Sequence, residues 1–172
     1  MNIPVGKGIE NLIDFLLNNF GGVFDLVALI VGSFMAGTKS FLLMFPPLVL
    51  MLVLTGLAWL LADKKVAAFT FVGLFLVFGM QLWMPFVKTL VLVLVSTIIA
   101  LVIGIPVGIL MSGNQLLDRL LTPVLDLMQT MPPFVYLIPA VMFFGIGDVP
   151  GVMATVIFAM PPAIRLTKLG LV

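Results

Sequence analysis

The chain has 172 residues, 63% hydrophobic and 9% charged, with eight basic and seven acidic side chains and a net charge of +1. Soluble domains carry about 45–50% apolar and about 25% charged residues, so this composition excludes a water-soluble globule and points to an all-α integral membrane protein. Histidine and cysteine are absent, which removes imidazole acid–base chemistry, thiol nucleophiles, disulfides and ordinary zinc sites, and the near-neutral charge offers no basic patch for nucleic acid.

Residues 1–40 form the first region. Lys7 is followed by Glu10 and Asp14 with no small-residue cleavage site, so this is not a signal peptide. Ile9, Leu12, Ile13, Leu16, Leu17 and Phe20 fall at helical spacing, with Glu10, Asn11, Asp14, Asn18 and Asn19 on the other side. The pattern predicts an amphipathic helix in the membrane interface. Gly21-Gly22 is expected to break it. Val23 to Ala36 is more apolar, but its uncharged run from Leu26 is too short to span, and a helix packed on the rest of the protein is expected.

About five transmembrane helices follow. Phe41–Ala62 is the first and Val66–Met84 the second, with Asp63-Lys64-Lys65 as a tight polar turn between them. These two fill residues 41–84. Residues 85–172 hold three more: Thr89–Met111, Pro123–Gly145 and a short run from Gly151 to Ile164, the first two joined by a polar link from Ser112 to Thr122. The last run reaches only about 21 Å as a helix and needs Arg165 and Lys168 to snorkel to the interface. Lys64, Lys65, Arg119, Arg165 and Lys168 mark one set of ends, against Lys39 and Lys88, with Lys7 further off, at the other. The excess predicts a cytoplasmic location for the first set and an external N-terminus.

Two motifs stand out within the spans. Ser96, Ala100, Gly104, Gly108 and Ser112 recur every four residues and share one helix face. Small side chains there permit close backbone approach, either as plain packing or as a face that slides during gating. Pro106 in the same helix is expected to bend it. The fourth span carries Asp126, Gln129, Thr130 and Tyr136 among Pro123, Pro132, Pro133 and Pro139. Thr122-Pro123 reads as a helix start, with Asp126 complementing the dipole. Gln129, Thr130, Met131, Pro132, Pro133 and Tyr136 read as a pathway lining or as a structural kink, since polar groups and broken backbone in a membrane face protein or water. Pro161-Pro162 with Arg165 and Lys168 reads as a helix stop with positive anchors, or as the approach to a cytoplasmic partner. Gly32–Ser40 (GSFMAGTKS) is not a phosphate loop, because Thr38 separates the second glycine from Lys39 and no strand precedes it.

From Thr89 onward, TLVLVLVSTIIALVIGIPVGILMSGN and then LLDRLLTPVLDLMQTMPPFVYLIPAVMFFGIGDVPGVMATVIFAMPPAIRLTKLG resemble the glycine betaine/proline betaine permeases of binding-protein-dependent ABC importers. QTMPPFVYLIP followed by FGIGDVPGVMAT resembles the quaternary-amine branch in particular. The resemblance implies that residues 85–172 are the start of a permease core, preceded by an N-terminal extension and two extra spans. It implies a multi-pass protein of the cell membrane and a translocation path working by alternating access. Its partners would be a second permease subunit (as a homodimer), two cytoplasmic ATPases and an external substrate-binding protein. No cofactor is expected in this chain, and MgATP would be bound and hydrolysed in the ATPases. Arg165 and Lys168 would lie on the approach to the ATPase coupling loop, which in the family begins where this sequence stops, so a longer parent protein is expected.

The competing expectation is a non-transporting scaffold that packs through the Ser96–Ser112 face. An intramembrane enzyme is disfavoured by the lack of His, Cys and closely paired carboxylates. A passive channel lacks an identifiable ring of charge or carbonyls.

Overall fold

The computed structural model describes the backbone of residues 5–171 and the side chains of Asn11 and residues 13–171. Lys7, Ile9, Glu10 and Leu12 of the expected amphipathic pattern lie outside the described side chains. Seven helices and no strand occur among the described residues: α1 Val5–Leu43, α2 Pro47–Leu61, α3 Lys64–Gly79, α4 Trp83–Gly113, α5 Gln115–Thr130, α6 Phe134–Phe144 and α7 Asp148–Leu169. They divide into two compact units, one of residues up to 33 together with those from 93 onward, the other of residues 34–92.

The N-terminal helix corrects the first expectation. Gly21-Gly22 does not break it; α1 is continuous for 39 residues. An interior glycine costs only about 1 kcal/mol relative to alanine, whereas a break in hydrocarbon strands several backbone groups at several kcal/mol each. Ile13–Leu43 is therefore a 31-residue stretch long and apolar enough to cross a membrane. Counting only the uncharged run from Leu26 underestimates it, because the helix continues through Asp25 and Lys39.

In the unit of residues 34–92, the expected polar turn is present. The Asp63 carboxylate accepts the Val66 N–H at 2.8 Å and caps α3. The helices on either side are shorter than expected. Phe41–Ala62 is interrupted at Met44–Pro46, and α2 begins with Pro47 at its first turn, where a missing N–H costs nothing. At 15 and 16 residues, α2 and α3 extend only about 22 and 24 Å, and they pack on each other as a hairpin.

α4, whose residues from 93 onward belong to the other unit, and α7 are each long and apolar enough to cross a membrane. α7 is longer than the 14-residue run expected, covering 22 residues and continuing through Pro161-Pro162. Asp148 in its first turn and Lys168 in its last both complement its dipole. The Ser112–Thr122 link is also helical. α4 runs to Gly113, and only Asn114 intervenes before α5. The Asn114 side-chain oxygen accepts the N–H groups of Leu116 at 2.9 Å and Leu117 at 3.3 Å, which is why the new helix starts there. Leu117, Leu121, Leu125 and Met128 then form one stripe of α5, packed in a cluster with Met111 and Ile164.

The expected fourth span is not one straight helix. α5 and α6 meet at 101°. Pro123 lies inside α5 rather than at its start, and Asp126 lies in its second half. Met131 takes an extended conformation, φ −82° and ψ 137°, which the ring of Pro132 favours by crowding the helical region of the residue before it. Pro132 and Pro133 supply no N–H to continue the ladder. At the far end Gly145, at φ 75°, closes α6 in a conformation that disfavours a side chain. Phe24 of α1 stacks on Phe143 (ring centroids 4.7 Å apart) and meets Phe144 edge-on at 5.8 Å. Gly32 faces Val149.

Candidate functional site

The small residues of α4 form the seam with α7. The Ser96 hydroxyl, fully buried, donates to the Val152 carbonyl at 3.4 Å, and Ala100 is buried. A Cβ on Gly104 would lie 2.9 Å from the Ala163 Cβ; one on Gly108 would lie 2.7 Å from both the Ile164 carbonyl oxygen and the Thr167 Cβ. Ser112, the last of the expected face, turns back and donates to the Ile109 carbonyl in its own helix at 2.7 Å. Residue numbers rise together along the seam, from Ser96 with Val152 to Gly108 with Thr167. α4 and α7 are therefore parallel, and α5 with α6 must return the chain across the layer between them.

That return contains the elbow at Gln129–Pro133. The Leu127 carbonyl is its focus. It accepts the Met131 N–H at 3.2 Å, the Thr130 hydroxyl at 3.2 Å and, from across the bend, the Tyr136 phenol at 3.3 Å. Val135 N–H donates to the Pro132 carbonyl at 2.9 Å and Tyr136 N–H to that of Pro133 at 3.1 Å, which starts α6. Gln129, Thr130, Met131, Pro132 and Pro133 are exposed, and Tyr136 is half-buried. Tyr136 thus braces the bend through its hydroxyl.

Arg165 and Lys168 lie one turn apart on α7 and meet two carboxylates of α5. Lys168 Nζ donates to Asp118 Oδ1 at 2.5 Å, and Arg165 Nη2 donates to Asp126 Oδ1. Thr122 also donates to Asp118 Oδ1, at 3.2 Å. Asp126 is therefore not the dipole partner of its own helix start, as expected from Thr122-Pro123; its role is across helices. Sequence reasoning misses this pairing. The available signal is that Asp118, Thr122 and Asp126 recur every four residues on one face of α5, while Arg165 and Lys168 share a face of α7. Partners 50 and 39 residues apart in the chain cannot be matched from spacing alone.

Between these helices lies a cavity of about 410 Å³, lined by Met111, Asp118, Thr122, Leu125, Arg165, Lys168 and Leu169. None of the elbow residues lines it. All four ion-paired side chains remain 30–57% exposed, and exposed ion pairs contribute little net stability. They join α5 to α7 beside the apolar contact of Leu125 with Ile164. No cluster of three potential metal ligands occurs among the described residues. The arrangement offers packing surfaces, a 101° bend and a charged tie.

Residues 100–172 match the model of a family described as binding-protein-dependent transport system inner membrane component. Over 98% of its length the chain is 46% identical to the glycine betaine transport system permease protein OpuAB of Bacillus subtilis, covering 60% of that protein. It is 45% identical to the glycine betaine/carnitine transport permease protein GbuB of Listeria monocytogenes, covering 61% of it, again over 98% of this chain. It is 39% identical to the glycine betaine/proline betaine transport system permease protein ProW of Escherichia coli, covering 48% of it. The chain thus spans about half to three-fifths of the length of these relatives. With its apolar crossing helices and this similarity along nearly all of its length, the chain is a membrane protein whose residues 100–172 belong to the family of binding-protein-dependent transport system inner membrane components.

Proposed function

We propose that this chain is part of the permease of an ABC importer for glycine betaine or related quaternary ammonium osmoprotectants. The observation that carries the reading is the identity of 46% to a glycine betaine permease along 98% of the chain. In this reading it belongs to a multi-pass subunit of the cell membrane, with the N-terminus outside and the Arg119, Arg165 and Lys168 end in the cytoplasm. Residues 85–172 begin the permease core, after an N-terminal region of residues 1–40 and an extension of residues 41–84. Two permease subunits, as a homodimer, form the path by alternating access. Two cytoplasmic ATPases bind and hydrolyse MgATP, and an external binding protein delivers the solute. The elbow residues Gln129 to Pro133 and Tyr136 lie along the path; the Ser96–Gly108 seam sets the spacing of the helices that move; Arg165 and Lys168 lead toward the ATPase contact.

The experiment is uptake of radiolabelled glycine betaine into proteoliposomes holding the parent permease with its ATPases. Accumulation that requires both ATP and the binding protein supports the reading. Uptake without ATP makes the protein a channel, and no uptake under any condition removes the transport reading. The scaffold alternative needs the Ser96–Ser112 face free for another chain, and α7 already occupies it from Ser96 to Gly108.

A further inference from the structure

We propose that Asp118 and Asp126 are positioning residues that make α5 and the end of α7 one rigid lever, carrying displacement of that end to the elbow at Gln129–Pro133. The inference rests on the transport reading and deepens it. Neither carboxylate is assigned a role by the resemblance or by the similar proteins.

The geometry argues for a lever in three steps. First, the pairs cross-connect. The earlier residue of α5, Asp118, meets the later residue of α7, Lys168, and Asp126 meets Arg165, so the two helices run antiparallel through the contact. Second, the ties are unequally spaced. Asp118 and Asp126 are about 12 Å apart along α5, whereas Arg165 and Lys168 are about 4.5 Å apart along α7. The two long cationic side chains therefore fan out from a single turn of α7 to grip more than two turns of α5. One tie would leave α5 free to pivot, and two at this separation fix its angle. Third, the grip spans a cavity. Asp118, Thr122, Arg165 and Lys168 line its polar wall and Met111, Leu125 and Leu169 its apolar wall, so the apolar stripe of α5 on Ile164 leaves a gap on this side, and the charged ties add to the packing in setting the helix angle.

The other end of α5 is the 101° elbow. Its backbone ladder is interrupted by Pro132 and Pro133, and one side-chain bond, from Tyr136 to the Leu127 carbonyl, bridges it. A helix tied at Asp118 and Asp126 and ending in a bend just beyond transmits its rotation to that bend. α4 lies against α7 at both ends of the seam, through Ser96 at Val152 and through Gly108 at Ile164 and Thr167, so the end of α7 moves together with α4 as well as with α5. The cytoplasm-proximal end of α7 moving with α5 then changes the elbow angle and, with it, the direction of α6.

The test uses the whole transporter with spin labels at Leu120 on α5 and Leu166 on α7, both exposed, with pulsed-dipolar distances recorded with and without vanadate-trapped nucleotide. A lever predicts one narrow Leu120–Leu166 distance in both states; a distance that changes between them overturns it. The Asp118→Asn/Asp126→Asn variant is expected to broaden that distance and to lower uptake about tenfold, within the range of ordinary couplings between sites, while ATP hydrolysis continues. The conservative Asp118→Glu/Asp126→Glu variant, which keeps both charges on α5, is expected to keep the distance narrow and uptake near that of the wild type. A narrow distance and full uptake in the double Asn variant overturn the proposal, as does a double Glu variant that behaves like the double Asn one while the complex still assembles. The distance arm is read whether or not betaine is the solute, so failure of the lever and failure of the transport reading are distinguishable.

Discussion

Gly108 lies so close to Thr167 that a Cβ on the glycine would stand 2.7 Å from the Thr167 Cβ and equally close to the Ile164 carbonyl oxygen. One neighbour is a β-branched side chain and the other is backbone, so neither yields by a simple rotamer change. The contact lies on the seam that makes α4 and α7 parallel, and the distance between these helices is therefore set by the absence of a side chain at this position.

Gly108→Ala is accordingly expected to destabilise the permease by about 1–3 kcal/mol through overpacking, and Gly108→Leu to abolish assembly. Gly104→Ala should cost less than Gly108→Ala, because its nearest obstacle is the Ala163 methyl at 2.9 Å rather than a carbonyl. Thermal unfolding of the purified transporter in detergent reads both. Equal midpoints for wild type and Gly108→Ala would mean that the helices are not in this contact.

Gly21 and Gly22 give the opposite expectation. A Cβ at either meets nothing within 4 Å, and both lie inside a continuous helix. Gly21→Ala and Gly22→Ala should each stabilise α1 by up to about 1 kcal/mol, seen as slower amide hydrogen exchange across residues 17–26. Unchanged or faster exchange would return the pair to the helix break expected from sequence.

These two glycine pairs show what is legible in such a chain. The four-residue ladder from Ser96 to Gly108 can be read because a helix face and a steric requirement coincide at fixed spacing. Gly21-Gly22 misleads because glycine punctuates structure in water, whereas hydrocarbon penalises the unpaired backbone that a break would leave. The Ser112–Thr122 segment misleads in another way: its polar residues obscure a helical stripe of Leu117 and Leu121 that continues to Leu125 and packs in the core. The proline run at the elbow marks a break, but not its 101° angle. The ties from Asp118 and Asp126 are invisible, because spacing within one helix says nothing about which helix lies opposite.

Asn114 is the whole connection between α4 and α5, and its side chain satisfies two otherwise free N–H groups. Asn114→Ala is expected to cost about 1 kcal/mol, with exchange accelerated at Leu116 and Leu117 while the α4–α7 seam is unaffected. Asn114→Asp should retain most of the stability, since a carboxylate accepts the same two bonds and complements the helix dipole. If Asn114→Asp is as damaging as the alanine variant, capping is not what the residue contributes.

The elbow has two separable supports, and each predicts a different result. Tyr136→Phe removes one neutral hydrogen bond to a carbonyl that keeps two other donors, so the expected loss is about 1 kcal/mol or less. The bend should persist. Pro132→Ala acts on the backbone instead. It restores an N–H and releases Met131 from its extended conformation, leaving Pro133 as the remaining obstacle. Pro132→Ala/Pro133→Ala removes both, so α5 and α6 gain the option of joining into one straight helix. Distances between labels at Leu120 and Ile138, placed on the two arms and both exposed, should lengthen in the double alanine variant and stay unchanged in Tyr136→Phe. Uptake should follow the same order. The reverse order, with Tyr136→Phe straightening the pair, would assign the bend to the side-chain brace and not to the prolines.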